Sequence, residues 1–362
     1  MYLHQRKDWY NFVYDKTIVL KSLGALRLHQ GVLMGKAGRM GFEVQNEKYL
    51  ENISLEIIKS SEIEGESLNL QQVRSSIARR LGINTAGLVQ SQRYIDGIVE
   101  MNLDATRNYA APLTSERLFG WHNVLFPTGR SGFYKIEVGQ YRTHDMEVVS
   151  GPMGMETVHY SAPAPERVPD EMERFLSWFN EDNDTDLVLK AAIAHLWFVS
   201  IHPFDDGNGR IARALTDMLL AKSENSPLRF YSVSNEINLD RKGYYDILEE
   251  TETGYGDITA WLLWFFNHLD DAIARSEIVV DSAWEKNNLF AKTAQLPLNQ
   301  RQKKIMSMLV DGFNGKLTTA KYAKINKCSQ DTALNDINML ISNNILKKSE
   351  EGKGKNTNYV LA

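Results

Sequence analysis

Cysteine is nearly absent from this chain, whose 362 residues include Cys328 alone. A single cysteine cannot form an internal disulfide, and no cluster of Cys and His has zinc-site spacing, so we expect neither cross-links nor a structural metal to explain the fold. No apolar run approaches the roughly 18–20 residues that cross a bilayer, and the N-terminal segment MYLHQRKDWYNF lacks the apolar core of a secretion signal. These absences predict a cytoplasmic protein.

Only one end of the chain has a net positive charge. The net charge is −5 overall, but residues 299–362 contain 11 Lys and Arg against 5 Asp and Glu, which makes that tail +6 and the rest about −11. The contrast indicates different partners for the acidic body and the basic tail. A hydrophobic content of 43% excludes a largely disordered protein.

Apolar residues recur with helical spacing along most of the sequence, which predicts a mainly α fold. Residues 9–38 are expected to form helix broken by glycines, and a helix that starts near Asn46 ends around Glu64 and Gly65. The apolar stripe predicted for the first of these segments consists of Leu20, Leu23, Leu26 and Leu28. Further helices are predicted at residues 69–81, 86–105, 114–124 and 166–179.

A β-hairpin is predicted where the helical pattern stops, at about residues 147–160. Alternating MEVV and TVHY segments there flank Gly151, Pro152 and Gly154, which is a turn signal. Such a segment on its own is most often an ordinary surface hairpin.

The segment DLVLKAAIAHLWFVSI, residues 186–201, is apolar nearly all round and is therefore expected at the centre of a domain. It ends at His202 and Pro203, because proline disfavours helix in the residue before it, and a second helix begins after Gly209. The sequence HPFDDGNGRIAR, residues 202–213, is thus the loop between a buried helix and the start of another.

The order of residue types in this loop suits chemistry on a polyphosphate. Gly207 and Gly209 allow successive backbone N–H groups to point at one anion, and the following helix adds the positive end of its dipole. Arg210 and Arg213 share a helix face and can grip phosphate oxygens. A further hydrogen bond is expected from Asn208.

A metal ligand and a base complete this set of residues. Mg²⁺ accompanies polyphosphates and prefers carboxylate oxygens, which Asp205 or Asp206 can supply. His202, held by Pro203 and titrating near neutral pH, can deprotonate an incoming hydroxyl. The alternative is a polar turn with a capping histidine and an arginine-bearing helix, but the working order of all these groups favours a functional site.

Other histidines lack the sequence spacing of a metal site. His195 lies on the apolar helix and is expected to be a core histidine with satisfied hydrogen bonds. The remaining ones in this group are His122, His144, His159 and His268.

The loop resembles the signature of the Fic family, His-Pro-Phe-x-(Asp/Glu)-Gly-Asn-Gly-Arg-x-x-Arg, at every defined position. The resemblance covers about residues 50–270 and implies a largely helical domain that transfers AMP from ATP to a Ser, Thr or Tyr hydroxyl of a protein and releases pyrophosphate. It implies His202 as the general base and Asp206 as the Mg²⁺ ligand, while Asp205 falls on the free position. The anion hole and phosphate clamps implied by the motif are Gly207, Asn208, Gly209, Arg210 and Arg213. The branch that phosphorylates its target has lysine where Gly209 stands, which argues against a kinase.

Two further segments fit the same resemblance. The hairpin at about residues 147–160, beside GQYR, resembles the family's flap, which lies over the site and pairs with the target segment as an added strand. Tyr244 and Tyr245 lie where the family often has a pair that stacks on adenine, although adjacent tyrosines are more often half-buried packing residues.

The segment SSEIEGE resembles the inhibitory helix motif of the family, Ser-x-x-x-Glu-Gly, when read from Ser60. In that motif the glutamate pairs with the second arginine of the signature, which here is Glu64 with Arg213. The pair would remove a clamp for the γ-phosphate and repel the nucleotide. Such a short pattern also arises by chance at a solvated helix end, but its place ahead of a complete motif favours self-inhibition.

The basic tail resembles a winged helix-turn-helix domain, with three short helices followed by a Gly-containing hairpin. Its recognition helix is expected to start at Ser329. Asp331 and Asp336 lie on that helix, so DNA binding and protein docking are equally supported. The lysines expected to meet phosphates from the wing are Lys347, Lys348, Lys353 and Lys355.

The sequence is thus divided into three regions: accessory helices at residues 1–48, a Fic core at 49–295 with an inhibitory helix at about 49–65, and the winged-helix-like module at 299–362. The leading interpretation is a self-inhibited protein adenylyltransferase that uses Mg-ATP, and the resemblance is compatible with a homodimer. A second interpretation is a hydrolase that removes AMP from a modified protein, with Glu64 aligning water. A third is a DNA-binding regulator whose nucleotide site is a sensor.

Overall fold

The computed structural model describes residues 2–83, 87–150, 155, 157–182, 184–293, 296–310, 313, 315–349 and 357–362. The chain divides into two compact units. Unit 1 consists of Phe42–Ser276 together with the described residues up to Met34, and unit 2 consists of Gly35–Gly41 and Glu277–Ala362.

Helices dominate the described residues, which confirms the prediction of a mainly α fold. None of these helices combines the length and apolarity needed to cross a membrane. The helices up to the end of unit 1 are α1 (Lys16–Ala37), α2 (Phe42–Ile63), α3 (Leu70–Leu81), α4 (Arg93–Arg107), α5 (Ser115–Leu125), α6 (Val168–Asn180), α7 (Leu187–Ile201), α8 (Asn208–Glu224), α9 (Val233–Leu239), α10 (Arg241–Glu252) and α11 (Thr259–Thr293). Two antiparallel hairpins accompany them, formed by β1 (Arg130–Ser131) with β2 (Tyr134–Lys135) and by β3 (Glu147–Ser150) with β4 (Thr157–Ser161).

The first helix differs from its prediction. α1 is continuous through Gly24, Gly31 and Gly35, whereas residues 9–15 precede it outside the helix. Each helical glycine costs about 1 kcal/mol relative to alanine, and burial of one helix face outweighs that cost. The buried positions follow a regular helical spacing and are Val19, Leu23, Leu26 and Leu33. The predicted stripe was therefore wrong for Leu20 and Leu28, which are exposed.

The α7 helix forms the centre of unit 1. Asp186 caps its N-terminus by accepting the N–H of Val188 at 2.8 Å, and every residue from Val188 to Ile201 is buried. The helix packs along α8, which follows it after the motif loop. The prediction of a central apolar helix that ends before His202 is confirmed, and the loop is fixed at both ends by buried elements.

The predicted hairpin at about residues 147–160 is present as strands β3 and β4. Glu147 pairs with Ser161 and Val148 with Tyr160, and the register shifts between Val148 and Val149. The turn of the predicted flap, at residues 151–154 and 156, lies outside the described residues. The role of this hairpin as a flap stays a prediction.

Unit 2 contains three short helices followed by an antiparallel strand pair, the order expected for the tail. They are α12 (Gln300–Val310), α13 (Thr319–Asn326), α14 (Gln330–Ser342), β5 (Leu346–Lys348) and β6 (Tyr359–Leu361). Their core is built from aliphatic residues and the buried ring of Tyr322.

One acidic residue on the expected recognition helix points inward. Asp336 is 7% exposed and accepts hydrogen bonds from Arg301 Nε at 2.7 Å and Asn299 Nδ2 at 2.7 Å. It therefore presents no charge to a nucleic acid, while Asp331 on the same helix is exposed. The winged-helix assignment and DNA binding stay predictions, and the wing lysines Lys353 and Lys355 lie outside the described residues.

Candidate active site

His202 ends α7 in the left-handed region of backbone space, with φ 51° and ψ 59°. A residue other than glycine adopts this conformation only where its surroundings hold it. The ring Nδ1 of His202 lies 3.1 Å from the carbonyl oxygen of Val199. Because a carbonyl can only accept, Nδ1 carries the hydrogen and Nε2 keeps a lone pair. Burial lowers the pKa of His202, so the imidazole is neutral at pH 7 and competent as a base.

A buried arginine holds the loop from one side. Arg142 donates its backbone N–H to Pro203 O at 2.9 Å and its Nε–H to His202 O at 2.8 Å. One terminal nitrogen donates to His144 O at 2.8 Å and the other to Pro163 O. Since Arg142 is the arginine of GQYR, it ties the segment that leads into the β3–β4 hairpin to the backbone of the motif loop.

His122 supports the loop from the other side. Its Nε2 donates to the carbonyl oxygen of Asp206 at 3.1 Å, and its Nδ1 accepts the N–H of Gly139 at 3.2 Å. The ring stacks on Phe204 with centroids 4.3 Å apart. Burial lowers the pKa of His122 to about 4, so the ring stays neutral in this tautomer. Its task in the described structure is structural.

The two motif glycines are required for different reasons. Gly207 caps the start of α8 at φ 83°, where a residue with a side chain is strained. At Gly209 a Cβ atom would lie 2.2 Å from Oε1 of Glu64, so a side chain there displaces the glutamate. The N–H groups that open α8 precede any helical acceptor and can donate to an anion, whereas the N–H of Gly207 donates to Oδ1 of Asp206. The anion hole stays a prediction.

Asn208 serves the loop itself. Its Oδ1 accepts the backbone N–H of Phe204 at 3.0 Å, and its Nδ2 donates to Phe204 O at 2.7 Å. The side chain is 2% exposed. The expected hydrogen bond from the Asn208 amide to a phosphate is therefore replaced by a loop-stabilising pair, and the backbone N–H is what this residue offers a nucleotide.

The second motif arginine is held by the predicted inhibitory segment. Nη2 of Arg213 donates to Oε1 of Glu64 at 2.7 Å and to the backbone oxygen of Ser60 at 2.8 Å, and Nε donates to the Ser60 hydroxyl at 2.8 Å. Burial opposes the charge of Arg213, but the carboxylate of Glu64 raises its pKa on balance. The structure thus brings Ser60, Glu64 and Arg213 together as predicted.

The first motif arginine is held by a second carboxylate that sequence reasoning did not select. Nη1 of Arg210 lies 2.8 Å from Oε2 of Glu66 and 3.2 Å from the hydroxyl of Tyr94, which itself donates to Glu66. The Arg210 side chain is 1% exposed and that of Glu66 is 36% exposed. Both clamps therefore contact acidic side chains from one short segment.

Each motif arginine still has an unused donor. Nε of Arg210 and Nη1 of Arg213 are buried and have no hydrogen-bond partner among the described residues. Buried donors are nearly always paired, so these two arginine donors near the start of α8 are suited to bind an anion.

Asp206 lies beside this group of donors. The hydroxyl of Ser131 donates to its Oδ2, and Nη2 of Arg210 is 3.4 Å from its Oδ1. The side chain is 37% exposed, which leaves the carboxylate open to a cation. Its assignment as a metal ligand stays a prediction.

The tyrosine pair divides into a core residue and a surface residue. Tyr244 is 2% exposed, its hydroxyl lies 2.8 Å from Nε2 of His195, and its ring packs on Trp261 and Trp264. The prediction that Tyr244 stacks on adenine is wrong, because the packed core leaves its ring no open face. Tyr245 is 38% exposed and remains a prediction for adenine.

His195 is a satisfied core histidine, as expected. It is fully buried, with Nδ1 3.0 Å from the hydroxyl of Thr216 and Nε2 facing Tyr244. Burial lowers its pKa to about 3.

Five residues that shape the site, His122 among them, were not selected as site residues from the sequence. Glu66 follows Glu64 by two positions, and Arg142 stands within GQYR, so both carried a weak signal. Tyr94 and Ser131 carried none, since the fold alone brings them to the motif.

Two family models match the chain. The Fic/DOC family model covers residues 112–220, which contain the motif loop and both hairpins. A domain of unknown function, DUF4172, covers residues 2–83, which contain α1, α2 and α3.

Similar proteins are found by sequence and by structure. A probable protein adenylyltransferase of Aquifex aeolicus (strain VF5) is 28% identical over 217 residues, or 59% of this chain and 60% of that protein. The protein adenylyltransferase Fic of Nematostella vectensis is 25% identical over 219 residues, or 57% of this chain and 44% of that protein. The chain thus matches less than two thirds of the length of these relatives.

A solved structure shows the same fold over nearly the whole chain. It is a Fic family protein from Desulfovibrio desulfuricans G20, with a TM-score of 0.52 and 21% identity, and the match covers 94% of this chain and 96% of the other. At this identity the likeness concerns the fold. Residues 112–220, which contain the complete motif, thus match the Fic/DOC family model, and the solved structure adds that the fold is similar.

Proposed function

We propose that this protein is a self-inhibited adenylyltransferase that transfers AMP from Mg-ATP to a hydroxyl side chain of a protein. One observation carries the proposal: two buried motif arginines at the N-terminus of α8 keep unpaired donors beside a neutral histidine. A polyphosphate satisfies those donors, and the histidine accepts a proton from a hydroxyl. The names of the sequence relatives support the same activity.

The proposed step needs a base, a nucleophile and a leaving group. The target hydroxyl gives its proton to Nε2 of His202 while its oxygen attacks the α-phosphorus of ATP. The bond from that phosphorus to the bridging oxygen of the β-phosphate breaks, and pyrophosphate leaves. The N–H groups that open α8, with Arg210 and Arg213, stabilise the charge on the phosphate oxygens.

The donor set at Asp206 fits a magnesium ion. Its carboxylate is a hard oxygen ligand, is over a third exposed, and borders the proposed phosphate site. When bound there, Mg²⁺ would neutralise phosphate charge and orient the polyphosphate. Ser131 and Arg210 hold the carboxylate in place.

Self-inhibition follows from the same contacts. Glu64 occupies Arg213 and lies against Gly209, and Glu66 occupies Arg210. A nucleotide that binds the remaining donors of both clamps therefore meets two carboxylates, whose negative charge repels its phosphates.

The decisive experiment measures transfer of label from ATP carrying radioactive phosphorus at the α position, with the chain itself as acceptor. Labelling is expected in wild type, more strongly in Glu64→Gly, and not in His202→Ala. Mass spectrometry of Glu64→Gly should show an added adenylyl group. Absence of α label in Glu64→Gly, or label that moves only from the γ-phosphate, contradicts the proposal.

Two alternatives, hydrolytic removal of AMP and DNA binding, are distinguished by separate measurements. Release of AMP from AMP-modified protein by wild type, and not by Glu64→Gly, would assign the site to a hydrolase. Salt-dependent retention of duplex DNA by the wild-type full-length chain, lost when Lys347 and Lys348 are replaced by alanine, would favour a DNA-binding regulator.

A further inference from the structure

A cluster of one imidazole and two carboxylates lies next to the motif loop, apart from the side chains that the proposed transfer uses. One ligand atom from each of Glu137, His144 and Asp205 lies within 4.8 Å of the other two. Asp205 precedes Asp206 directly but has different neighbours: it contacts the segment that leads into the β3–β4 hairpin, whereas Asp206 contacts Ser131 and Arg210.

The carboxylate of Asp205 has an oxygen without a donor. Its side chain is 7% exposed, and Oδ1 has no hydrogen-bond partner among the described residues. The other oxygen, Oδ2, accepts the backbone N–H of Glu137 at 2.7 Å. A buried carboxylate oxygen is costly unless it meets a donor or a cation, and Nε2 of His144 lies 3.6 Å from Oδ1, beyond hydrogen-bond distance.

The separation of these atoms suits a metal ion. Ligands bound to Zn²⁺ at about 2.1 Å in tetrahedral geometry lie roughly 3.4 Å from one another, close to the 3.6 Å between His144 Nε2 and Asp205 Oδ1. The carboxylate oxygen of half-buried Glu137 lies within 4.8 Å of both atoms and would have to move closer to complete the set. The remaining position would be taken by water.

Neighbouring groups already orient the ligands. The hydroxyl of Thr143 lies 2.9 Å and 3.0 Å from the two carboxylate oxygens of Glu137, and the N–H of Glu137 fixes Asp205. Hydrogen bonds of this kind hold ligands in established metal sites.

One basic side chain, Arg142, acts on Asp205 electrostatically without forming an ion pair with it. In the described part of the chain no lysine or arginine forms an ion pair with Glu137 or Asp205. The guanidinium of Arg142 is near, but its N–H groups donate to backbone carbonyl oxygens of His202, His144 and Pro163. Two carboxylates thus face one imidazole.

We propose that Glu137, His144 and Asp205 bind a divalent transition-metal ion, with Zn²⁺ as the best match. An imidazole with two carboxylates favours Zn²⁺ over Mg²⁺, which prefers oxygen ligands alone. The ion would connect residues 137–144 to the motif loop through shared coordination. This site is separate from the Mg²⁺ ligand of the proposed transfer, and sequence spacing did not reveal it because its ligands come from two distant segments.

The test uses the full-length chain after removal of metals with a chelator. Co²⁺ serves as a probe with visible absorption, Zn²⁺ as its competitor, and thermal unfolding as a second readout. We expect one Co²⁺ per chain, displacement by equimolar Zn²⁺ but not by excess Mg²⁺, and a higher melting temperature with Zn²⁺. His144→Gln and Asp205→Asn should each weaken binding by about tenfold or more.

A control is a second pair of the same residue types, which lies at the surface. Nδ1 of His29 lies 2.7 Å from Oδ1 of Asp270, and no third ligand joins them in the described structure. His29→Gln should bind Co²⁺ as wild type does. Glu137→Gln provides a second ligand variant, and circular dichroism checks that each variant is folded.

Two results would overturn the site: equal Co²⁺ binding in wild type, His144→Gln and Glu137→Gln, or displacement of Co²⁺ by Mg²⁺ at similar concentration. Neither result bears on AMP transfer, because the assay contains no nucleotide. The metal site and the proposed function therefore fail or succeed separately.

Discussion

The motif loop and the inhibitory segment differ in how they are held. The loop is fixed by buried groups: Arg142 and His122 bind its backbone, and Asn208 bonds across it to Phe204. The segment proposed to inhibit contacts Arg210 and Arg213 through two glutamates that are about a third exposed, and Arg213 also through the buried Ser60. The motif loop is thus held by buried contacts. The carboxylates of Glu64 and Glu66, which carry the proposed inhibition, are open to competition from solvent and from a nucleotide.

The largest expected effect comes from a change in the motif loop. His202→Ala in the Glu64→Gly background should lower the rate of AMP transfer by roughly 10²–10⁴-fold, the usual contribution of a general base. Nucleotide affinity, measured by calorimetry with ATP, should change little. Retention of transfer within tenfold would remove the base from the mechanism.

The variant Glu64→Gly tests the proposed inhibitory contact with Arg213. Loss of the 2.7 Å contact with Arg213 should raise transfer by about tenfold or more, since ~1.4 kcal/mol corresponds to a factor of ten. The matched control is Glu62→Gly, in the last turn of α2 and two positions before Glu64, because Glu62 pairs with Lys59 at 2.6 Å. Equal activation by both variants would mean that a loosened helix end, and not the ion pair, sets the rate.

A smaller effect is expected from Glu66→Gln. The amide keeps the shape of the side chain but removes the charge opposite Arg210, so transfer should rise by about threefold, less than in Glu64→Gly. Rates in the double variant Glu64→Gly with Glu66→Gln measure whether the two contacts act together. An unchanged rate in both backgrounds would limit the restraint to Glu64.

The smallest expected effect is a displacement of the pH profile. Burial lowers the pKa of His202, so the neutral base persists to lower pH than an exposed histidine with a pKa near 6.5. Transfer by Glu64→Gly should therefore fall on the acid side with a midpoint below 6.5 and stay level above it. A midpoint above 6.5 would show that the folded site favours the imidazolium.

The sequence predicted the parts whose signals are local. The apolar run of α7, the stop at Pro203 and the glycines around Asn208 lie within one stretch, so spacing and residue type were sufficient. The contact of Glu64 with Arg213 was predicted through a family resemblance, because 149 positions separate the two residues.

Other features depended on packing that no local pattern encodes. Tyr244 and Tyr245 look alike in the sequence, yet one ring enters the core beside His195 and the other reaches the surface. Asp336 was placed on the expected recognition helix, where its charge counted against DNA binding, but it binds Arg301 inside unit 2. In each case the neighbour that decides the role comes from a different helix.

The close approach of Glu64 to Gly209 limits how this protein can change. A Cβ at position 209 would lie 2.2 Å from Oε1 of Glu64. A substitution that gives this position a side chain would therefore also displace the carboxylate of Glu64. A larger residue at position 209 is therefore expected to weaken the proposed inhibition at the same time, which links the residue type at 209 to the contact between Glu64 and Arg213.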